Sequence, residues 1–100
     1  PQRERGGEYL MLRLRTVRGI EEWEYRGTYY MDFTPIEQRL QEFSAQGWAE
    51  KTPEGRWRLT PKGFLVSNQL IGDLLERQRE ISLSELLPRV KRLQEERNEG

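Results

Sequence analysis

The chain contains no cysteine and no histidine. Their absence excludes disulfides, thiolate nucleophiles, Cys-ligated clusters and imidazole bases or ligands. Only carboxylates, hydroxyls and the sulfurs of Met11 and Met31 remain for ligation, and methionine more commonly fills core space than ligates a haem iron. Net charge is missing too, because 17 Lys and Arg are offset by 17 Asp and Glu. A strongly basic footprint for non-specific nucleic-acid binding is therefore absent. No apolar run approaches the roughly 18 to 20 residues of a membrane span, and no signal peptide is visible, so a cytoplasmic setting is expected.

The 100 residues suit one domain with a modest core. The apolar residues are clustered between charged ends, which argues for order. Pro1 to Gly7 read as a linker stub, 8–80 as the domain and 81–100 as an amphipathic or frayed tail.

From Glu8 the text EYLMLRLRTVRG fits two templates. Leu10, Leu14 and Val17 have helical spacing, whereas Leu10, Leu12 and Leu14 alternate as in a strand. Length, composition and a stop at Gly19 favour the helix. Next, Ile20 and Trp23 share a face of a second helix, with Glu21 and Glu22 at its positive end and Gly27 closing it.

A third helix opens with Thr34 as N-cap, Pro35 at the first helical position and Glu37 completing a capping box. Ile36, Leu40 and Phe43 give its apolar stripe. At its end Gly47 suits a left-handed position that lets Trp48 cover Phe43.

A hairpin follows, with a strand over 48–52, a turn through Pro53, Glu54 and Gly55, and a return strand over 56–60. Thr60 and Pro61 then cap a fourth helix whose apolar face carries Phe64, Ser67, Leu70, Ile71, Leu74 and Leu75, fading among 76–80. In the tail, Ser82 with Glu85 forms another box, Leu83, Leu86, Val90 and Leu93 have heptad-like spacing, and Pro88 kinks or restarts the helix. The expected architecture is α+β and mostly helical: a winged-helix-like domain of three helices, a two-stranded β wing and a fourth helix.

Such a wing can carry Lys51, Arg56, Arg58 and Lys62 onto phosphates while helix three enters a groove. Helix three argues against this, because Thr34 to Gly47 hold Glu37 and Glu42 against Arg39, a net charge of −1. The wing segment Trp48 to Gly63 has a net charge of +2 and Pro1 to Gly19 a net charge of +3, which are separate patches. The preferred alternative packs Trp48 and Trp57 onto helix three and leaves the wing charges solvated. No arrangement of residues suggests a catalytic centre, a cofactor site or a metal site in this chain.

The wording EYLMLRLRTVRGI, QRLQEFSAQGWAE and RLTPKGFLVSNQLIGDLL resembles the C-terminal domain of the oxygen-independent coproporphyrinogen III oxidase family, which includes the radical-SAM haem chaperones (HemN/HemW-like proteins). The motif E-x-x-x-L-x-L-R falls on Glu8, Leu12, Leu14 and Arg15, followed by Gly19 and Ile20. L-T-x-x-G falls on Leu59, Thr60 and Gly63, and the S-N pair on Ser67 and Asn68. Arg13 and the aromatic loop Thr28 to Phe33 depart from the pattern. The resemblance covers about Glu8 to Leu75 and favours a helix for the first segment.

The resemblance implies an excised, non-catalytic domain that packs on an N-terminal radical-SAM barrel and shapes its porphyrin or haem site. It assigns a [4Fe-4S] cluster and S-adenosylmethionine to that barrel, with haem as a further ligand of the chaperones, the subgroup the LTPKG wording favours. Arg15, Arg56 and Arg58 are the candidate contacts to barrel or substrate, Arg15 suiting a carboxylate or an internal ion pair. The rivals are a winged-helix DNA-binding regulator and an interaction module using the tail helix.

Overall fold

A computed structural model describes the backbone of residues 10–99 and, within it, the side chains of 10–84, 92 and 95. The linker stub and motif residue Glu8 lie outside the described residues. The fold is winged-helix-like α+β. A helical segment, α1 (residues 10–15), tightens into a 3-10 turn at Arg13–Arg15. Then come α2 (Glu22–Tyr29), α3 (Thr34–Ala45), β1 (Ala49–Lys51), β2 (Trp57–Leu59), α4 (Pro61–Phe64) and α5 (Ser67–Glu99).

The first segment is helical as expected, but it stops at Arg15 rather than Gly19. Thr16 ends it: its hydroxyl donates to the Arg13 carbonyl at 2.6 Å and accepts the Gly19 N–H at 3.1 Å, local bonds that compete with helix continuation. Leu10, Met11 and Leu14 are buried, while Val17 lies past the break and is exposed. Gly19, at φ +71°, turns the chain so that Ile20 lies antiparallel beside Trp57, exchanging two 2.8 Å backbone bonds. Ile20 thus adds a single bridge to the other edge of β2 and is not part of a helix, and it shares no face with the exposed Trp23.

Helix α2 begins two residues after Ile20 and is capped by a reciprocal box between Glu21 and Glu24. Acidic residues at this end therefore bond backbone N–H groups directly, beyond any dipole effect. Gly27 does not close it. The helix continues to Tyr29, burying Tyr25 and Tyr29 one turn apart, and ends where Tyr30 takes the left-handed region at φ 56°. The Tyr25 ring packs 4.7 Å from Tyr29 and 5.2 Å from Phe33, and its hydroxyl donates to Gln78 Oε1 at 3.0 Å. Burial raises the pKa of that phenol above the usual tyrosine range.

At the start of α3 Thr34 is the first helical residue rather than the N-cap; Phe33 holds the N-cap position without a side-chain bond, and the residue before it, Asp32, bonds Thr34. The Asp32 carboxylate accepts the Thr34 backbone N–H at 3.0 Å and the Thr34 hydroxyl at 2.9 Å. A carboxylate two residues earlier thus occupies the hydroxyl. No capping box forms, and Glu37 turns to the wing instead. The other end is as expected: Gly47, at φ +80°, donates to Ser44 O and Trp48 to Phe43 O, both at 2.9 Å, with the Phe43 and Trp48 rings edge to face at 6.2 Å.

The wing pairs Ala49 with Leu59, Glu50 with Arg58 and Lys51 with Trp57. Its turn closes through Gly55 N–H to Thr52 O at 2.9 Å, with Gly55 at φ +85°. Ala49, Trp57 and Leu59 face the core built by α1, α2, α3 and α5.

The fourth helix is in two parts. Thr60 caps α4 as expected, its hydroxyl accepting the Gly63 N–H at 3.1 Å. The chain then breaks at 65–66, so Phe64 is exposed rather than buried, while Ser67, Leu70, Ile71 and Leu74 keep the inner face. Helix α5 does not fade at 76–80 and does not restart at Pro88, and Ser82 sits mid-helix rather than at a cap. At about 1.5 Å per residue its 33 residues dominate the 57 Å long axis of the molecule, against 26 and 24 Å for the others.

Candidate docking face and charged wing

The family-motif positions fall into two physical groups. Leu14 and Leu59 are core, Gly19 and Gly63 allow close backbone approach, and Thr60 is a cap. Arg15, Ser67 and Asn68 are brought together by the packing of α1 against the start of α5. The Arg15 guanidinium donates to Ser67 Oγ at 2.9 Å and to Asn68 Oδ1. Its partners are neutral oxygens, not the carboxylate the sequence suggested.

Arg15 and residues 64–69 border a cavity of about 430 Å³. Beside it stand Leu65, 83% exposed, and Phe64, 53% exposed. Leu12, on the same short α1, is 40% exposed. Leaving large apolar groups in water forgoes burial worth roughly 1.5 to 3 kcal/mol for each such side chain. A guanidinium oriented by two fixed oxygens, flanked by uncovered apolar side chains, has the composition of a protein contact surface.

The wing is arranged differently, since every basic side chain there has an internal partner. Arg56 binds Glu21 at 2.5 Å and lies 4.0 Å from Glu24. Arg58 donates to Glu50 at 2.7 Å and to the Val17 carbonyl at 2.9 Å. Lys51 reaches Glu37 at 3.1 Å, and Lys62 reaches the Gln46 carbonyl at 3.1 Å. Buried Glu24 also accepts from Arg13 at 3.0 Å and lies 3.5 Å from Arg18. On α3, Arg39 forks onto both Asp73 oxygens at 2.9 and 2.8 Å and touches Glu42 at 2.6 Å. Lys51 and Lys62 are exposed, as expected of wing charges, but all four basic side chains are also tied to partners within the domain.

Glu37 joins wing to helix. Its carboxylate accepts the Trp57 indole N–H at 2.9 Å as well as the Lys51 ammonium. The indole hydrogen bond, then Lys51, hold its pKa below the usual carboxylate range, and the Arg39 fork does the same for Asp73. Carboxylates with depressed folded pKa values stabilise the fold above their unfolded pKa of about 4, and that contribution is lost as pH falls through the folded value. Melting temperature followed by circular dichroism should stay level from about pH 7 to 5 and drop below about pH 4. Glu37→Gln and Asp73→Asn should each flatten that drop.

Sequence reasoning missed Glu24, Asp73 and the exposure of Phe64. The spacing Glu21-x-x-Glu24 was a readable cap signal. Asp73 and Phe64 carried none, because their roles depend on α3 and on the break at 65–66. Among the described residues no group of three Asp or Glu is placed to hold a metal ion, and no helix is long and apolar enough to cross a membrane. No protein-family model matches the chain, and no curated protein or solved structure matches it either.

Proposed function

We propose that the chain is a non-catalytic accessory domain that docks through the face of Leu12, Arg15, Phe64 and Leu65 onto a catalytic domain, the radical-SAM barrel of a coproporphyrinogen oxidase-like or haem-chaperone protein. The observation that carries this reading is the uncovered pair Phe64 and Leu65 beside the oriented Arg15. The sequence resemblance supplies the identity of the partner, and its motif residues Arg15, Ser67 and Asn68 meet at this face. In this role the domain covers one side of the barrel's porphyrinoid site, while cluster, S-adenosylmethionine and haem stay with the barrel. Arg56 and Arg58 hold the wing to α2, β1 and the turn after α1, so their part is internal rather than at the barrel.

The DNA-regulator reading lacks free cations where it needs them: Lys51, Arg56, Arg58, Lys62 and Arg39 all have partners within the domain. Phosphate binding would have to break those pairs before any counterion release could favour it. Calorimetric titration of a separately expressed barrel of this family tests the proposal. Saturable binding by the wild-type chain, weakened at least tenfold by Leu65→Glu, is the expected result. Failure to bind the barrel, together with salt-sensitive binding to duplex DNA, would sink it.

A further inference from the structure

Arg15 differs from the arginines around it in what balances its charge. Among the described residues, each of the six other arginines from Arg13 to Arg58 lies within 3.9 Å of a carboxylate. Arg15 meets only the neutral Ser67 Oγ and Asn68 Oδ1. It is half-buried, so salt and water screen its charge less than on an open surface. It also stands beside the first turn of the 33-residue α5, where the helix dipole favours an anion over a cation.

The two neutral oxygens orient the guanidinium without neutralising it. Ser67 takes the Nε hydrogen and Asn68 one Nη2 hydrogen, which leaves the other Nη2 hydrogen and both on Nη1. Those donors can grip both oxygens of a carboxylate. Ser67 is itself 6% exposed, so the fork is set in place before a partner arrives. The adjoining cavity of about 430 Å³ lies in the range of ligand-sized clefts, roughly 300 to 1,000 Å³, enough for a side chain rather than a carboxylate group alone. Among the described residues that line it there is no Asp or Glu. A free small anion would leave Phe64 and Leu65 in water, whereas an acidic side chain carried on a protein surface brings neighbours that cover them.

We infer that Arg15 receives a carboxylate from outside the domain, the side chain of an Asp or Glu of the docking partner entering the cavity bordered by Phe64 and Leu65. The inference rests on the docking proposed above and names the chemistry of its polar contact.

Two measurements test it. In the chain alone, the Arg15 Nε–H and the Ser67 and Asn68 amides are followed by nuclear magnetic resonance as sodium acetate replaces sodium chloride at constant ionic strength. Acetate should shift these signals saturably, while the Nε–H groups of the carboxylate-paired Arg39 and Arg58 barely move. Arg15 signals that move no more than theirs would overturn the inference. The barrel titration is then repeated with Arg15→Gln and Arg15→Lys. Arg15→Gln should weaken binding about tenfold or more, and Arg15→Lys, which keeps the charge without the fork, should fall between it and the wild type. Equal affinity of wild type and Arg15→Gln would overturn the inference while leaving the docking intact. If neither binds, the barrel is not the partner, and the acetate shifts alone decide whether Arg15 is a carboxylate receptor.

Discussion

Replacing Gly19 or Gly63 by alanine should unfold much of the protein near physiological temperature. A Cβ at Gly63 would sit 1.9 Å from the Trp48 carbonyl oxygen, and one at Gly19 would sit 2.0 Å from that of Trp57. In both cases the obstacle is backbone, which cannot rotate aside as a side chain can. Gly63 is close because the first turn of α4 lies against the chain entering β1, where Thr60 N–H also bonds Trp48 O at 3.0 Å. Gly19 carries a second penalty, its φ of +71°, a region that costs an L-residue about 1 to 2 kcal/mol. Adding an overpacking term of roughly 1 to 3 kcal/mol gives a loss of about 3 kcal/mol or more for Gly19→Ala. For a domain of this size that lowers the melting temperature by about 12 to 24 °C. Gly27→Ala supplies the control: nothing lies within 4 Å of its would-be Cβ, and in an exposed helix it should stabilise by about 0.5 to 1 kcal/mol. Thermal melts of the three variants, followed by circular dichroism, decide the matter.

Trp57→Ala should be comparably severe, and Trp23→Ala nearly silent. Trp57 is 4% exposed, exchanges two backbone bonds with Ile20 and donates its indole N–H to Glu37, so three elements converge on it. Truncating a buried aromatic of this size costs about 3 to 5 kcal/mol, and here it also leaves the Glu37 carboxylate without one of its donors. Trp23 is 65% exposed, and its removal should stay within about 0.5 kcal/mol. Urea unfolding of both variants separates them by midpoint. Equal midpoints would mean that the wing is not fastened to the core through Trp57.

These contrasts show what was legible in the sequence. Features specified by neighbours along the chain were readable: the Gly47 and Trp48 termination of α3, the Thr60 cap of α4 and the Gly55 turn of the wing. Features that depend on a competitor or a distant element were not. Thr34 is a sound cap in isolation, yet the N-cap position falls one residue earlier, at Phe33, and the Asp32 carboxylate occupies both the Thr34 N–H and its hydroxyl. Glu37 fits a capping box, but the Trp57 indole, 20 residues away, provides a stronger claim on it. Ile20 has an apolar partner at helical spacing in Trp23, and the sheet edge offered by Trp57 overrides that spacing. For the candidate site, Arg15 reads from sequence as a partner of a carboxylate, whereas its partners are Ser67 and Asn68, 52 and 53 residues away. Arg56 and Arg58 look from sequence like outward contacts and are committed to Glu21 and Glu50. Charge pairing across a fold leaves no local trace, which is why the wing's role could not be read from its composition.

The claim that the Arg15 face, and not the wing, meets a partner is tested most directly by hydrogen exchange of the chain with and without saturating barrel. Amides of residues 10–16 and 62–70 should exchange more slowly in the complex, while those at the wing tip, 52–56, keep their free-state rates. Protection confined to the wing, or no change anywhere at saturation, would contradict it.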